Sequence, residues 1–125
     1  MRNQPKYNFF KNTGYALKGL KDIILNENSF RIELIIIILL IPFVIIIDIL
    51  LVQKLVMFIS LMGILIAEAI NSAIERVVDL VTLEHHDMAG RAKDVGSSVV
   101  FLSIVVCVVV WFIILYENFS KLFSL

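Results

Sequence analysis

The sequence predicts an all-α membrane protein with an N-terminal amphipathic surface helix and three transmembrane helices. The chain has 125 residues and is 60% hydrophobic, with a mean hydropathy of +0.96, outside the range of ordinary soluble domains. Its apolar residues gather into three runs, each near the ~20 residues that a helix needs to cross a bilayer. Its 11 basic and 11 acidic residues cancel but are segregated along the chain, and no basic footprint for nucleic acid results. The single cysteine, Cys107, lies in an apolar run, which excludes an internal disulfide or a cysteine-cluster metal site and reads as packing. The polar-amphipathic stretch before the first run lacks the apolar core of a cleavable signal peptide. The chain is therefore expected to stay in the membrane as one domain over 1–125.

From about Pro5 to Asn26, Phe10, Leu17, Leu20 and Ile24 share a helical face, with Lys6, Lys11, Lys18 and Lys21 to the side. Such a helix lies at a membrane surface or packs on the rest of the protein, and both readings stand. Gly14 and Gly19 are poor helix residues that mark a bend or a close approach. The first span is expected at 31–52, with Pro42 as a kink. The second, 55–81, is uncharged as far as Ala67 and polar thereafter. After a polar connection from Thr82 to Asp87, Arg91, Lys93 and Asp94 begin the third helix, with its span at 95–116. Asp94 is expected there as an N-terminal acid favoured by the macrodipole. Trp111 and Tyr116 fit an interfacial belt, although Trp111 could equally face a neighbouring helix. Arg2, Lys6, Lys11, Lys18, Lys21 and Arg31 precede the first span, and Arg76, Arg91 and Lys93 lie between the second and third. The other side offers Lys54 and Lys121. By the positive-inside rule the N-terminus is cytoplasmic and the C-terminus outside.

The stretch from Glu68 to Asp79 breaks the membrane pattern. At 100° per residue, Glu68, Asn71, Ser72, Glu75 and Asp79 fall on one face. A charge near the bilayer centre costs about 2.5–3.5 kcal/mol on insertion scales. Asn71 and Ser72 can serve as interhelical glue, with Glu75 paired to Arg76 or Arg91. Two glutamates on the same stripe favour a function, because ionisable residues at this depth are costly. Carboxylates near the surface suit a hard cation such as Mg²⁺, which prefers oxygen ligands and substrate phosphates. Glu68 and Glu75 stand about 10 Å apart along the helix and cannot readily share one small ion. Glu75 needs a partner from another element, and Glu27 is available. The deeper Glu68 suits a general base or acid acting on a lipid head group. His85 and His86 are adjacent and do not form an i, i+4 ligand pair; a solvated loop is the simpler reading, with nucleotide contact the other. Gly14-Tyr-Ala-Leu-Lys-Gly19 follows a phosphate-binding loop only superficially.

Three motifs in this half of the chain resemble the bacterial membrane diacylglycerol kinase family: Glu68-Ala-Ile-Asn-Ser-Ala-Ile-Glu-Arg-Val-Val-Asp79, Glu84-His-His86 and Gly90-Arg-Ala-Lys-Asp-Val-Gly-Ser97. Gly14-Tyr15, Lys18-Gly19-Leu20 and Asn26-Glu27 with Phe30, Arg31 and Glu33 match its N-terminal part. The resemblance implies a homotrimer in the bacterial inner membrane that uses MgATP to phosphorylate diacylglycerol to phosphatidate, at active sites shared between subunits. Carried over, Glu68 takes the proton from the lipid hydroxyl, Asn71 supports the catalytic geometry, and Glu27 and Glu75 hold the metal that bridges the ATP phosphates. Tyr15, Glu84, His85, His86, Lys93 and Asp94 contact the nucleotide. Ser29, Phe30, Arg31, Glu33, Asp48, Lys54 and Ser97 line the lipid side together with Glu68. The sequence departs at Asn8, where the family often has an arginine that contributes to nucleotide and substrate binding; Lys6 and Lys11 are the cations at hand. The same superfamily contains undecaprenol kinase, although Gly90 to Ser97 looks more like the diacylglycerol branch. A non-enzymatic helix assembly or cation conduit is the remaining alternative.

Overall fold

The computed structural model describes residues 6–123. Helix α1 (Phe9–Asn26) starts where Asn8 is extended and its side chain accepts the Lys11 N–H at 3.1 Å. That satisfies one of the donors a helix start leaves open. Asn8 thus serves as a helix cap.

Glu27 alone, extended at φ −108° and ψ 113°, separates α1 from α2 (Asn28–Ile46). Phe30 pins this junction. It is buried where Leu20 and Ile24 of α1 meet Met62 and Leu65 of the next helix. Helix α2 passes through Pro42 without interruption. Its bounds differ from the expected 31–52. Glu27 provides the break at one end, and at the other Asp48 sits in a turn from Ile47 to Leu50, where the Ile47 N–H closes on the Phe43 carbonyl at 3.0 Å. The Lys54 ammonium donates to the Ile45 carbonyl at 2.7 Å, placing a cation at the negative end of α2.

Leu51 and Val52, expected in the first span, instead open α3 (Leu51–Val81). Helix α4 (Asp87–Glu117) follows, and a short α5 (Phe119–Leu122) packs against its end. Helix α4 begins two turns before 95 because the His86 ring Nδ1 caps it, accepting the Met88 N–H at 3.2 Å. Asp87 is therefore its first-turn acid, and Asp94 lies well inside the helix. At a rise of 1.5 Å per residue, α3 and α4 are each about 46 Å long, well beyond the ~30 Å hydrocarbon core, so each extends clear of it.

Among the described residues, α2, α3 and α4 are long and apolar enough to cross a membrane. Helix α3 is central: 44% of its apolar window is buried, against 17% for α2 and 11% for α4. Met57, Leu61 and Leu65 recur every fourth residue along it and join Ile37 and Val44 of α2 with Cys107 and Ile114 of α4 in one core. The outer faces of α2 and α4 keep Leu39, Ile46 and Phe112 exposed, as a lipid-facing helix does. Trp111 faces its neighbours and not an interfacial belt, donating its indole N–H to Ser60 Oγ at 3.2 Å and stacking on Phe43 at 6.0 Å. Tyr116 remains exposed beyond it.

Candidate active site

The acidic stripe gathers beneath the α1–α2 junction. Glu68, Asn71 and Ser72 are buried on α3, with Glu68 only 6% exposed. A carboxylate so far removed from water is expensive unless it has a task. Ser29 of α2 lies beside the Glu68 carboxyl, and Glu75 and Glu27 lie within electrostatic range of it. Glu33, one turn along α2 from Ser29, also faces Glu68 across the helix pair, and its Oε2 is buried without a hydrogen-bond partner.

Asn71 continues this buried cluster toward Glu75. Its amide Nδ2 donates to Glu75 Oε1 at 3.1 Å, one turn along the same helix. Its Oδ1 is buried, has no partner and points at Gly96 of α4, where an added Cβ would stand 2.5 Å away. Gly96 thus leaves open the space that the Asn71 side chain fills, and a side chain there would have to displace the amide. Among the described residues, Asn71 makes no hydrogen bond to another helix.

The surface end is held by three ion pairs. Lys93 of α4 meets Asp79 Oδ1 at 2.6 Å, with Glu75 also in its field. Arg76 does not pair with Glu75. Its Nε and Nη2 donate to Glu27 Oε1 at 3.1 and 2.8 Å, and its Nη1 pairs with Asp22 Oδ2. The guanidinium holds the Asp22 carboxyl below the usual carboxylate range, helped by the Asn26 amide. Asp22 and Gly96 were not singled out from the sequence. Their only sequence signal is position: Asp22 lies one turn before the junction, and Gly96 stands within the Gly90–Ser97 motif.

The remaining expected residues fall into two groups. Tyr15, Glu84, His85, Asp94 and Ser97 are exposed around this same end. His86 caps α4 through Nδ1 alone, and Arg31 donates to the Leu25 carbonyl and to Asn28 Oδ1, tying off α1. Phe30 is core. Asp48 and Lys54 lie elsewhere, about 28 Å away at the other end of α2, where Asp48 pairs with Lys121 at 3.1 Å. One chain therefore does not bring all of these side chains into a single cavity. Among the described residues, no three His, Cys, Asp or Glu side chains converge closely enough to hold a metal ion. The oxygen donors of Glu27 and Glu75 nonetheless suit Mg²⁺, and Arg76 engages only one oxygen of Glu27.

These features define an integral-membrane helical protein with a carboxylate-rich site at one end of the bundle. Residues 14–115 match the sequence model of the prokaryotic diacylglycerol kinase family, so the chain belongs to that family and is a lipid kinase. It is 38% identical to the diacylglycerol kinase of Escherichia coli K12 over 110 residues, covering 88% of this chain and 90% of that one. It is 37% identical to the diacylglycerol kinase of Haemophilus influenzae over 99 residues, covering 79% and 84%. The undecaprenol kinase of Bacillus subtilis is 26% identical over 102 residues, covering 81% and 83%.

Proposed function

We propose that this lipid kinase transfers the γ-phosphoryl group of ATP to diacylglycerol, giving phosphatidate and ADP, with Mg²⁺ required. The observation that carries the reading is the buried Glu68 beside Ser29 at the α2–α3 seam. A base at head-group depth meets an alcohol that never leaves the membrane. The lipid hydroxyl gives its proton to Glu68 as its oxygen attacks the γ-phosphorus, and the bond from that phosphorus to the β-bridging oxygen breaks to release ADP. Phosphoryl transfer depends mainly on positioning and charge neutralisation. When bound, Mg²⁺ offsets the phosphate charge. Glu27 and Glu75 would hold it, Asn71 fixes one oxygen of Glu75, and Tyr15, Glu84, His85, His86, Lys93 and Asp94 form the nucleotide side. Ser29, Phe30, Arg31, Glu33 and Ser97 support the lipid side near Glu68, and Asp48 and Lys54 support it at the other end of α2.

The protein is a homotrimer with shared sites in this reading. In support, one chain brings Glu27, Glu68 and Glu75 into electrostatic range without closing a metal cage among the described residues. Helix α1 lies on the cytoplasmic membrane surface, with the N-terminus inside and the C-terminus outside, as the basic residues before the first span indicate. Family membership sets aside the cation conduit and the passive helix assembly. Diacylglycerol is preferred over undecaprenol because the diacylglycerol kinase relatives are the more similar. Vesicles holding the protein and MgATP are expected to phosphorylate diacylglycerol faster than undecaprenol when the two are presented side by side. Transfer to undecaprenol alone would reverse the substrate assignment, and transfer to neither would sink the reading.

A further inference from the structure

We propose that Arg76 is a positioning residue for the metal, holding one oxygen of Glu27 so that the other stays open as a ligand. The inference rests on the reading of Glu27 as a metal ligand and goes beyond it. Glu27 cannot be placed by its own helix. It is the single extended residue between α1 and α2, and its side chain makes no capping bond to α2. Its described side-chain hydrogen bonds come from Arg76, and both fall on Oε1, at 3.1 Å from Nε and 2.8 Å from Nη2. Among the described residues, Oε2 accepts none.

The third nitrogen of the guanidinium is also occupied. Its Nη1 pairs with Asp22, whose other oxygen accepts from the Asn26 amide at 2.7 Å. Arg76 is thus held by three nitrogens between α1 and the junction, a fork that a lysine ammonium cannot reproduce. The charges are arranged to suit a cation. Glu27 and Arg76 alone sum to zero, and Asp22 brings the group to one net negative charge, so the carboxylate keeps its attraction for a divalent ion. Arg76 directly follows Glu75, so one stretch of α3 supplies the second carboxylate and the residue that orients the first. Outer-shell partners of metal ligands commonly matter for affinity about 10–100-fold.

The test uses the full chain in detergent. Mn²⁺ binding is followed by electron paramagnetic resonance with a non-hydrolysable ATP analogue, and turnover is titrated with Mg²⁺. Glu27→Gln serves as the reference. Arg76→Lys, which keeps the charge, and Arg76→Gln are expected to weaken Mn²⁺ about tenfold and raise the half-saturating Mg²⁺ equally, with kcat recovering at high Mg²⁺. Asp22→Asn is expected to weaken Mn²⁺ by a smaller factor. If Glu27→Gln weakens Mn²⁺ while both Arg76 variants bind it like the parent, the positioning role is overturned and Arg76 is only a latch between helices. Lower thermal stability and kcat in Arg76→Lys with unchanged Mn²⁺ affinity has the same meaning. If Glu27→Gln itself leaves Mn²⁺ affinity unchanged, the metal-ligand reading falls and this inference with it.

Discussion

In the half of α3 from Leu51 to Ala67, the buried polar side chain is Ser60, and its bonding is complete. It donates to the Met57 carbonyl at 2.7 Å, accepts the Trp111 indole N–H at 3.2 Å and lies 3.4 Å from Cys107 Sγ. In the half from Glu68 to Val81, three polar residues are buried, and satisfaction fails at named atoms. Asn71 Oδ1 has no partner, and neither does Glu33 Oε2 on the facing helix. Both halves lie on one continuous helix, so secondary structure does not explain the contrast. Buried polar groups are almost always paired, and unpaired ones mark places where something other than stability has set the arrangement. The first half uses polarity to register α4 on α3. In the proposed function, the second half holds polarity ready for ligands.

The comparison can be broken by substitution on either side. Glu68→Gln is expected to have the largest effect, a loss of turnover of about 10²–10⁴-fold, the usual scale for a general base. Nucleotide binding should be kept, because the change removes a base and no phosphate contact. Equal loss of ATP-analogue binding and turnover would refute the role. Gly96→Ala comes next. Its Cβ would press on Asn71 Oδ1 and displace the amide from Glu75. Overpacking of this kind costs about 1–3 kcal/mol. Thermal unfolding in detergent should show that cost, and a titration of turnover against Mg²⁺ should shift to higher concentration. A shift in stability alone would assign Gly96 to packing. Ser60→Ala is expected to do the least to function. It leaves the Trp111 N–H unpaired, at about 1–3 kcal/mol of stability, with turnover per folded protein unchanged. A fall in turnover there would erase the distinction between the two halves.

Much of this was legible in the sequence, for reasons that differ by residue. The helices and apolar spans follow from hydropathy, which is local and needs no partner. The stripe from Glu68 to Asp79 follows from helical period alone. Helix ends were less legible. The first span stops at Ile46 because a turn at Asp48 captures Ile49 and Leu50, and α4 starts at Asp87 because a histidine ring acts as its cap. Histidine is not among the preferred caps, so the motif gave no warning. Trp111 was readable as either a belt residue or a packed one, since both roles fit a tryptophan near a helix end. Only the position of Ser60 across the α3–α4 seam separates them.

By itself the sequence determined an all-helical membrane chain, its likeness to the diacylglycerol kinase family, and the identity and period of the carboxylates on α3. It also separated Glu68 from Glu75 by about 10 Å, because rise per residue is a property of the helix and not of its surroundings. Tertiary structure alone decided which charges meet. Arg76 was available to Glu75, but residues adjacent in sequence point about 100° apart on a helix, and the guanidinium reaches Glu27 and Asp22 on other elements instead. Gly96 acquires its purpose only when α4 packs close enough for Asn71 to fill its missing side chain. Contacts between helices depend on crossing and register, and those are set by the whole core from Met57 to Ile114.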